Sequence, residues 1–365
     1  MGAARLEIGG KNGKNMQTGI IGLPQTGKTT LFNLLTGRTQ PEGRREDRVG
    51  IAAIPDRRLE RLAHHYQPRK ATPATLELID LAALTPAALR AGTGIQALRE
   101  VDALVHVIRA FGEDNRPAAE EIRELEFDLI FNDLTQIEKR RDRVQLDLKK
   151  QKSPALEQEA ALLARLQAQL EAEKPLRELE LTAEEEKRLR GFQFLSRKPI
   201  LYVLNLDEAE AAEMGHALER HQIQLLLEAK PRTRGLALCA LLEAEIASLP
   251  EPERLEFLAG YGLQEPGLVR LARVVYDLLG LISFFTAGED ECRAWTITRG
   301  TRALDAAGVI HTDLAHHFIR AEVIDWQRLL EAGSEAAARE RGWLRLEGKD
   351  YIVQDGDVMH IRHSG

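Results

Sequence analysis

Cysteine, long apolar runs and excess positive charge are all scarce in this chain, and each scarcity removes a class of explanation. Among its 365 residues are two cysteines, Cys239 and Cys292, far apart and without CxxC spacing. A disulfide framework or a zinc site is therefore not expected, each cysteine reads as a buried structural residue with oxidation sensing as the alternative, and a reducing, cytoplasmic compartment fits. No apolar run reaches the ~18 residues of a membrane-spanning helix. The net charge is -7, so no global positive field draws in nucleic acid, and DNA is not an expected partner. Any RNA contact has to come from a local basic patch. Residues 1–15 are polar and lack the apolar stretch of a signal peptide. They read as a disordered tail, with Met16 as a candidate initiator directly before the first strand.

What is present is alternation. Strand-like runs recur at Thr18–Gly22, Thr75–Asp80, Ala103–Arg109, Pro199–Asn205, Gln222–Leu227 and around Leu236–Cys239, with helical patterns between most of them. The first helix is expected from Lys28 to about Thr36. This order indicates an α/β fold with a parallel sheet covered on both faces. Between Pro117 and Arg197 the alternation stops. Leu134, Ile137, Val144 and Leu148 keep a helical spacing, as do Leu156, Leu163, Leu166 and Leu170. Lys149-Lys150-Gln151-Lys152-Ser153-Pro154 lies between the two sets and supplies a turn. The segment reads as an inserted antiparallel helical hairpin whose charges are mostly a solvated face. Its basic tip is a candidate RNA or protein contact. Thr182 and Glu185 match a capping box for a further short helix. The last stretch changes to a small α+β pattern, with strands expected at Ala294–Ile297, Glu322–Ile324, Asp350–Val353 and Val358–Arg362, and a turn at Asp355-Gly356-Asp357.

The strongest motif is Gly22-Leu23-Pro24-Gln25-Thr26-Gly27-Lys28-Thr29, which fits GxxxxGK[ST] between a strand and a helix. Glycines let backbone N–H groups turn toward phosphates. The helix beginning near Lys28, followed by Thr29 and Thr30, points its positive end at the anion. In this chemistry Lys28 neutralises the β/γ charge and the Thr29 hydroxyl ligates Mg2+. Asp80 ends an apolar strand and is the candidate acid on the metal side; a helix cap is the alternative. After the apolar run Ile200–Leu204 comes Asn205-Leu206-Asp207-Glu208. GTP-specific P-loop proteins carry Asn-Lys-x-Asp at that point, the final Asp accepting from guanine N1–H and N2–H. Leu206 and Glu208 replace the Lys and that Asp, so the pattern argues against tight guanine selection and favours ATP over GTP. A polar turn after a core strand is the plain alternative.

The chain resembles the YchF subfamily of Obg-like ATPases over nearly all of residues 16–365. The resemblance rests on Gly19 through Pro24, Leu31-Phe32-Asn33, Pro55 through Leu59 and Val105 through Arg109. In the C-terminal part it rests on Phe285 through Gly288, Arg293 through Ile297, Ala307 through Asp313, Phe318 through Glu322 and Glu347 through Met359. It implies a Ras-like P-loop NTPase domain (16–116 and 198–279), the inserted antiparallel helical hairpin (117–197) and a ubiquitin-like α+β TGS-type domain (280–365). It also implies ATP preference through Asn205 and Glu208, a base-flanking loop at Cys239-Ala240, and association with the ribosome or ribosomal RNA in translation or stress regulation.

Departures from the family pattern fall on the hydrolytic machinery. The first switch segment, 37–50, is short and charged, with Thr39 as its only threonine. Where Asp-x-x-Gly is expected the chain has Asp80-Leu81-Ala82-Ala83. Leu84 occupies the position where other GTPases place a catalytic Gln, and a shortened Ala91-Gly92-Thr93-Gly94 follows. Gln25 replaces the usual P-loop Asn. The loop Gly112–Ala119 lacks the histidine with which the family positions water, and His106, inside the preceding strand, reads as a packed core residue. No catalytic residue is therefore assigned. Nucleotide binding should survive and hydrolysis should be slow or absent. The readings are a slow ATPase or ATP-gated switch, a non-hydrolysing docking module, a GTPase and, most weakly, a P-loop kinase.

Overall fold

The computed structural model describes residues 16–37, 48–81, 88–89, 92, 94–112, 116–151, 153–228 and 230–364. The tail, most of the first switch segment including Thr39, and Ala82, Ala83, Leu84, Ala91, Thr93, Glu113–Asn115 and Lys152 lie outside the described residues. By compactness the chain divides into two units, one of residues 1–16, 51–76 and 279–365 and one of residues 17–50 and 77–278.

A six-stranded sheet carries the strands β1 (Gln17–Ile21), β2 (Arg48–Ile54), β4 (Ala74–Asp80), β5 (Ala103–Ala110), β6 (Ile200–Leu206) and β7 (Thr233–Leu238) in the order β2-β4-β1-β5-β6-β7. β1 pairs in parallel with β4 and β5, as do β5 with β6 and β6 with β7. All of β6 and nearly all of β5 is buried, which is why both read as unbroken apolar runs. The first helix, Lys28–Thr36, runs between two left-handed glycines, Gly27 and Gly37. It packs against the helices Ala240–Ser248 and Gly267–Leu278.

Gln222–Leu227 is not a strand. The chain turns at Gln222, with φ +58°, and Gln224–Leu227 is a short helix. Ile223 is buried while Leu225 is exposed, so apolar spacing of i, i+3 and i+4 decides the outcome over an apolar run.

The hairpin consists of the helices Ala118–Lys150 and Pro154–Glu171. Ile137, Val144, Leu163, Leu166 and Leu170 form its core, with Leu134, Leu148 and Leu156 packed against them. Asp133 closes its base by accepting bonds from Leu195 N, Ser196 N and Ser196 Oγ at 2.8, 2.7 and 2.7 Å. The Thr182–Glu185 capping box is present.

The other unit contains a second six-stranded sheet made of β3 (Lys70–Thr72), β8 (Leu281–Thr286), β9 (Glu291–Thr298), β10 (Phe318–Asp325), β11 (Arg345–Glu347) and β12 (Asp357–His363). Its order is β11-β10-β12-β8-β9-β3, and it mixes parallel and antiparallel pairs. β3 comes from residues that the sequence reading grouped with the nucleotide motif; it pairs in parallel with β9. Asp350–Val353 is not a strand. Its one strand-type pairing among the described residues is an isolated bridge, Arg302 with Ile352. Asp357 Oδ2 accepts from Gln354 N and the Tyr351 hydroxyl, each at 2.8 Å, and folds the segment into a turn. Gly356, with φ +96°, completes that turn.

Candidate functional site

The site lies at the carboxyl ends of β1, β4 and β6, in the unit that holds the parallel sheet. Gly22 takes φ +154°, Gln25 +64° and Gly27 +87°, so the segment arches out of β1 with Pro24 and Gln25 exposed at its crest. A Cβ on Gly22 would collide with the Val107 carbonyl oxygen, and one on Gly27 with the Asn205 amide nitrogen. Both glycines are fixed by close approach as well as by φ. Within the arch the Thr26 hydroxyl donates to Leu23 O at 3.0 Å, and Lys28 Nζ donates to the same oxygen at 3.1 Å. The helix that follows has no side-chain cap at Gly27 and no acid in its first turn. Its first N–H groups, including those near Thr29 and Thr30, carry the positive end of the helix dipole toward the arch.

Lys28 is buried, and burial pushes its ammonium below the ordinary lysine range, while Asp80 and then Glu121 pull it back up. Asp80, at the end of β4, is also buried and accepts from the Thr29 hydroxyl at 3.2 Å. A buried cation, a hydroxyl and a buried carboxylate thus meet beneath a loop of turned backbone.

Asn205 is the second anchor. Its amide nitrogen donates to Thr26 O at 2.9 Å and its amide oxygen accepts from Ala240 N at 2.8 Å. One side chain therefore joins the arch to the start of the helix Ala240–Ser248, with Cys239 buried at the cap position. Burial raises the Cys239 thiol against backbone donors from Leu242 and Leu241. Leu206 ends β6 and is buried, whereas Glu208 is exposed at the start of the 3-10 segment Glu208–His216.

Sequence reasoning missed Glu121, an acid in the first turn of Ala118–Lys150 that is buried close to the arch. The signal was its place one residue before Ile122 and four before Leu125, on the stripe that faces inward. His106, expected in the core, is buried there, with Nε2 3.1 Å from Glu121 Oε1 and its ring edge-on to Tyr202.

Known proteins share this architecture over nearly all of the chain. A family model described as a 50S ribosome-binding GTPase matches residues 17–148, and the YchF-GTPase C-terminal model, described as a protein of unknown function, matches residues 281–364. The ribosome-binding ATPase YchF of Bacillus subtilis is 39% identical, across 95% of this chain and 99% of its own. The chain belongs to the YchF family. The ribosome-binding ATPase YchF of Escherichia coli O157:H7 is 40% identical across 94% of this chain and 98% of its own. Among solved structures, the Schizosaccharomyces pombe YchF GTPase superposes with a TM-score of 0.83 at 26% identity, covering 97% of this chain and 99% of that one. The P-loop NTPase fold with a C-terminal YchF domain is thereby established. Among the described residues no helix is long and apolar enough to cross a membrane.

Proposed function

We propose that this member of the YchF family binds a Mg2+-complexed purine nucleoside triphosphate, ATP in preference to GTP, and works with the ribosome as a slow ATPase or ATP-gated switch. The observation that carries the reading is the convergence of Lys28, the Thr29–Asp80 pair and the uncapped helix start under one arch. In that reading Gly22, Pro24, Gln25, Thr26 and Gly27 wrap the phosphates with backbone, Lys28 meets the β- and γ-phosphates, and Thr30 lends its N–H. Thr29 and Asp80 supply hard oxygen donors suited to Mg2+. No cluster of three or more metal-binding side chains exists among the described residues, which matches a cation held by few protein oxygens together with phosphates and water. Bound there, Mg2+ would neutralise charge that develops on the transferring phosphoryl group.

Asn205, Leu206, Glu208, Cys239 and Ala240 would surround the base. Glu208 is exposed and free to accept from the adenine N6 amine, and no Lys stands at position 206 to complete a guanine-reading set. Relatives that share 39–40% identity are named ribosome-binding ATPases, which supports both the ATP preference and the partner. A GTPase is the second reading, favoured by the name of the fission-yeast structure and by the N-terminal family model. Competition of ATP and GTP for one fluorescent analogue in Mg2+, followed by phosphate release on the same sample, tests the assignment. ATP should compete better, and turnover should stay below about 1 per second. Better competition by GTP would replace the leading reading with the second.

A further inference from the structure

Glu121 sets a negative charge behind a loop whose expected ligand is itself negative. The residue belongs to the helix Ala118–Lys150, whose far end is the hairpin tip. Its side chain is buried, as is that of His106, and Oε1 lies 3.1 Å from His106 Nε2. Both residues line a small cavity of about 20 Å3 together with Gly22 and Leu23 of the arch. That is room for a single water. Leu23 in turn holds Lys28 Nζ through its carbonyl oxygen at 3.1 Å. The titratable and charged groups that face Glu121 are His106 from β5, Lys28 from the arch and Glu124 from its own helix, the last paired with Arg116.

A buried carboxylate is costly unless counter-charges and hydrogen bonds compensate it. Lys28 supplies counter-charge here, and the His106 ring lies within hydrogen-bond distance. A triphosphate in the arch would share the Lys28 charge and add negative charge beside Glu121. The interaction is screened little, because the groups lie under the surface.

We infer that Glu121 is an affinity-setting residue of the phosphate site, through which the first turn of the hairpin is coupled to nucleotide binding. The inference rests on the nucleotide-binding reading above. With Glu121 in place the phosphates meet an opposing charge; displacement of that turn relieves it and tightens binding. Reciprocity requires that bound nucleotide loosen the same turn. A partner holding the hairpin can therefore tune nucleotide affinity without touching the nucleotide.

Glu121→Gln keeps the shape and removes the charge, and Lys28 retains Asp80 as a counter-charge. In calorimetric titrations with Mg-ATP and Mg-GTP, this variant should bind about tenfold tighter than the wild type, or about 1.4 kcal/mol. Glu120→Gln, on the same turn but exposed beside Arg116, should stay within about twofold of the wild type. A damaged fold weakens binding, so a gain separates the inference from misfolding. Wild-type binding with equal or weaker binding by Glu121→Gln overturns the inference, as does equal tightening by Glu120→Gln. Absence of wild-type binding refutes the nucleotide reading instead. Amide hydrogen exchange on the unaltered protein is the second arm. Residues 118–125 should exchange faster once Mg-nucleotide is added, and slower or unchanged exchange there overturns the coupling.

Discussion

Lys28 carries the clearest expectation at the scale of single residues. It is a buried cation held in place by a backbone carbonyl and supported by Asp80. Charge-assisted bonds to a phosphate contribute about 1.5–3 kcal/mol each. Lys28→Ala should therefore weaken nucleotide binding by about 10- to 150-fold in a titration while the far-ultraviolet spectrum stays unchanged. Gly27→Ala tests a different cause. The residue has φ +87°, and its new Cβ would displace the Asn205 amide that ties the arch to Ala240. We expect a stability loss of about 1–3 kcal/mol in urea denaturation together with weaker binding. Unchanged stability would mean that the tether does not matter. The arch was legible in the sequence because its residues are consecutive, as backbone that wraps an anion requires. Asn205 was legible because it follows the apolar run Ile200–Leu204 near the end of β6. Glu121 was legible only as an acid on the inward stripe; that it meets the arch comes from folding, and nothing in the order of residues announces that contact.

The hairpin is the element whose energetics are easiest to isolate. Leu166 is fully buried between the two helices, whereas Leu146 is more than half exposed. Leu166→Ala should cost about 2–5 kcal/mol, and Leu146→Ala less than about 0.5 kcal/mol, both read from denaturant midpoints. At the base of the hairpin, burial pushes the Asp133 carboxyl up to about 6, against the bonds from Ser196 and Leu195 that pull it down. An unfolded chain has this group near 3.9. The folded state thus holds the proton more tightly, so the contribution to stability is present below about pH 4 and is lost as pH rises through about 6. Relative to Asp133→Asn, which cannot ionise, the wild type should lose about 2–3 kcal/mol between pH 4 and 6 and run parallel above that. Urea midpoints that differ by a constant amount from pH 4 to 7 would contradict this. Elements with long periodic patterns, such as both hairpin helices and the helix Lys28–Thr36, were legible from sequence. Short ones were not. An apolar run as brief as Gln222–Leu227 fits a strand or a helix equally, and Leu225 shows its helical identity only by pointing outward. Asp350–Val353 has strand composition, but Tyr351 N is turned back onto Gly348 O and Asp357 holds the adjoining Gln354 N, so no ladder extends along it.

At the scale of the whole molecule, the parallel pairing of β1, β4, β5, β6 and β7 followed from alternation, because each parallel pair needs a crossover, whereas their order did not. The mixed sheet was harder to read. β3 has three residues and pairs with β9, more than 200 positions later, and no local pattern encodes a partner at that distance. Compactness accordingly groups residues 51–76 with the C-terminal unit, a grouping that composition along the chain does not reveal.

The central claim is that one arch, built on β1 and closed by Asp80 and Asn205, holds a Mg-nucleoside triphosphate. Calorimetric titration of the wild type and Lys28→Ala with ATP and with GTP in Mg2+ tests it most directly. The account predicts saturable wild-type binding, tighter for ATP, that falls sharply in the variant. Absence of binding of either nucleotide to the wild type, or equal binding by both proteins, would contradict it.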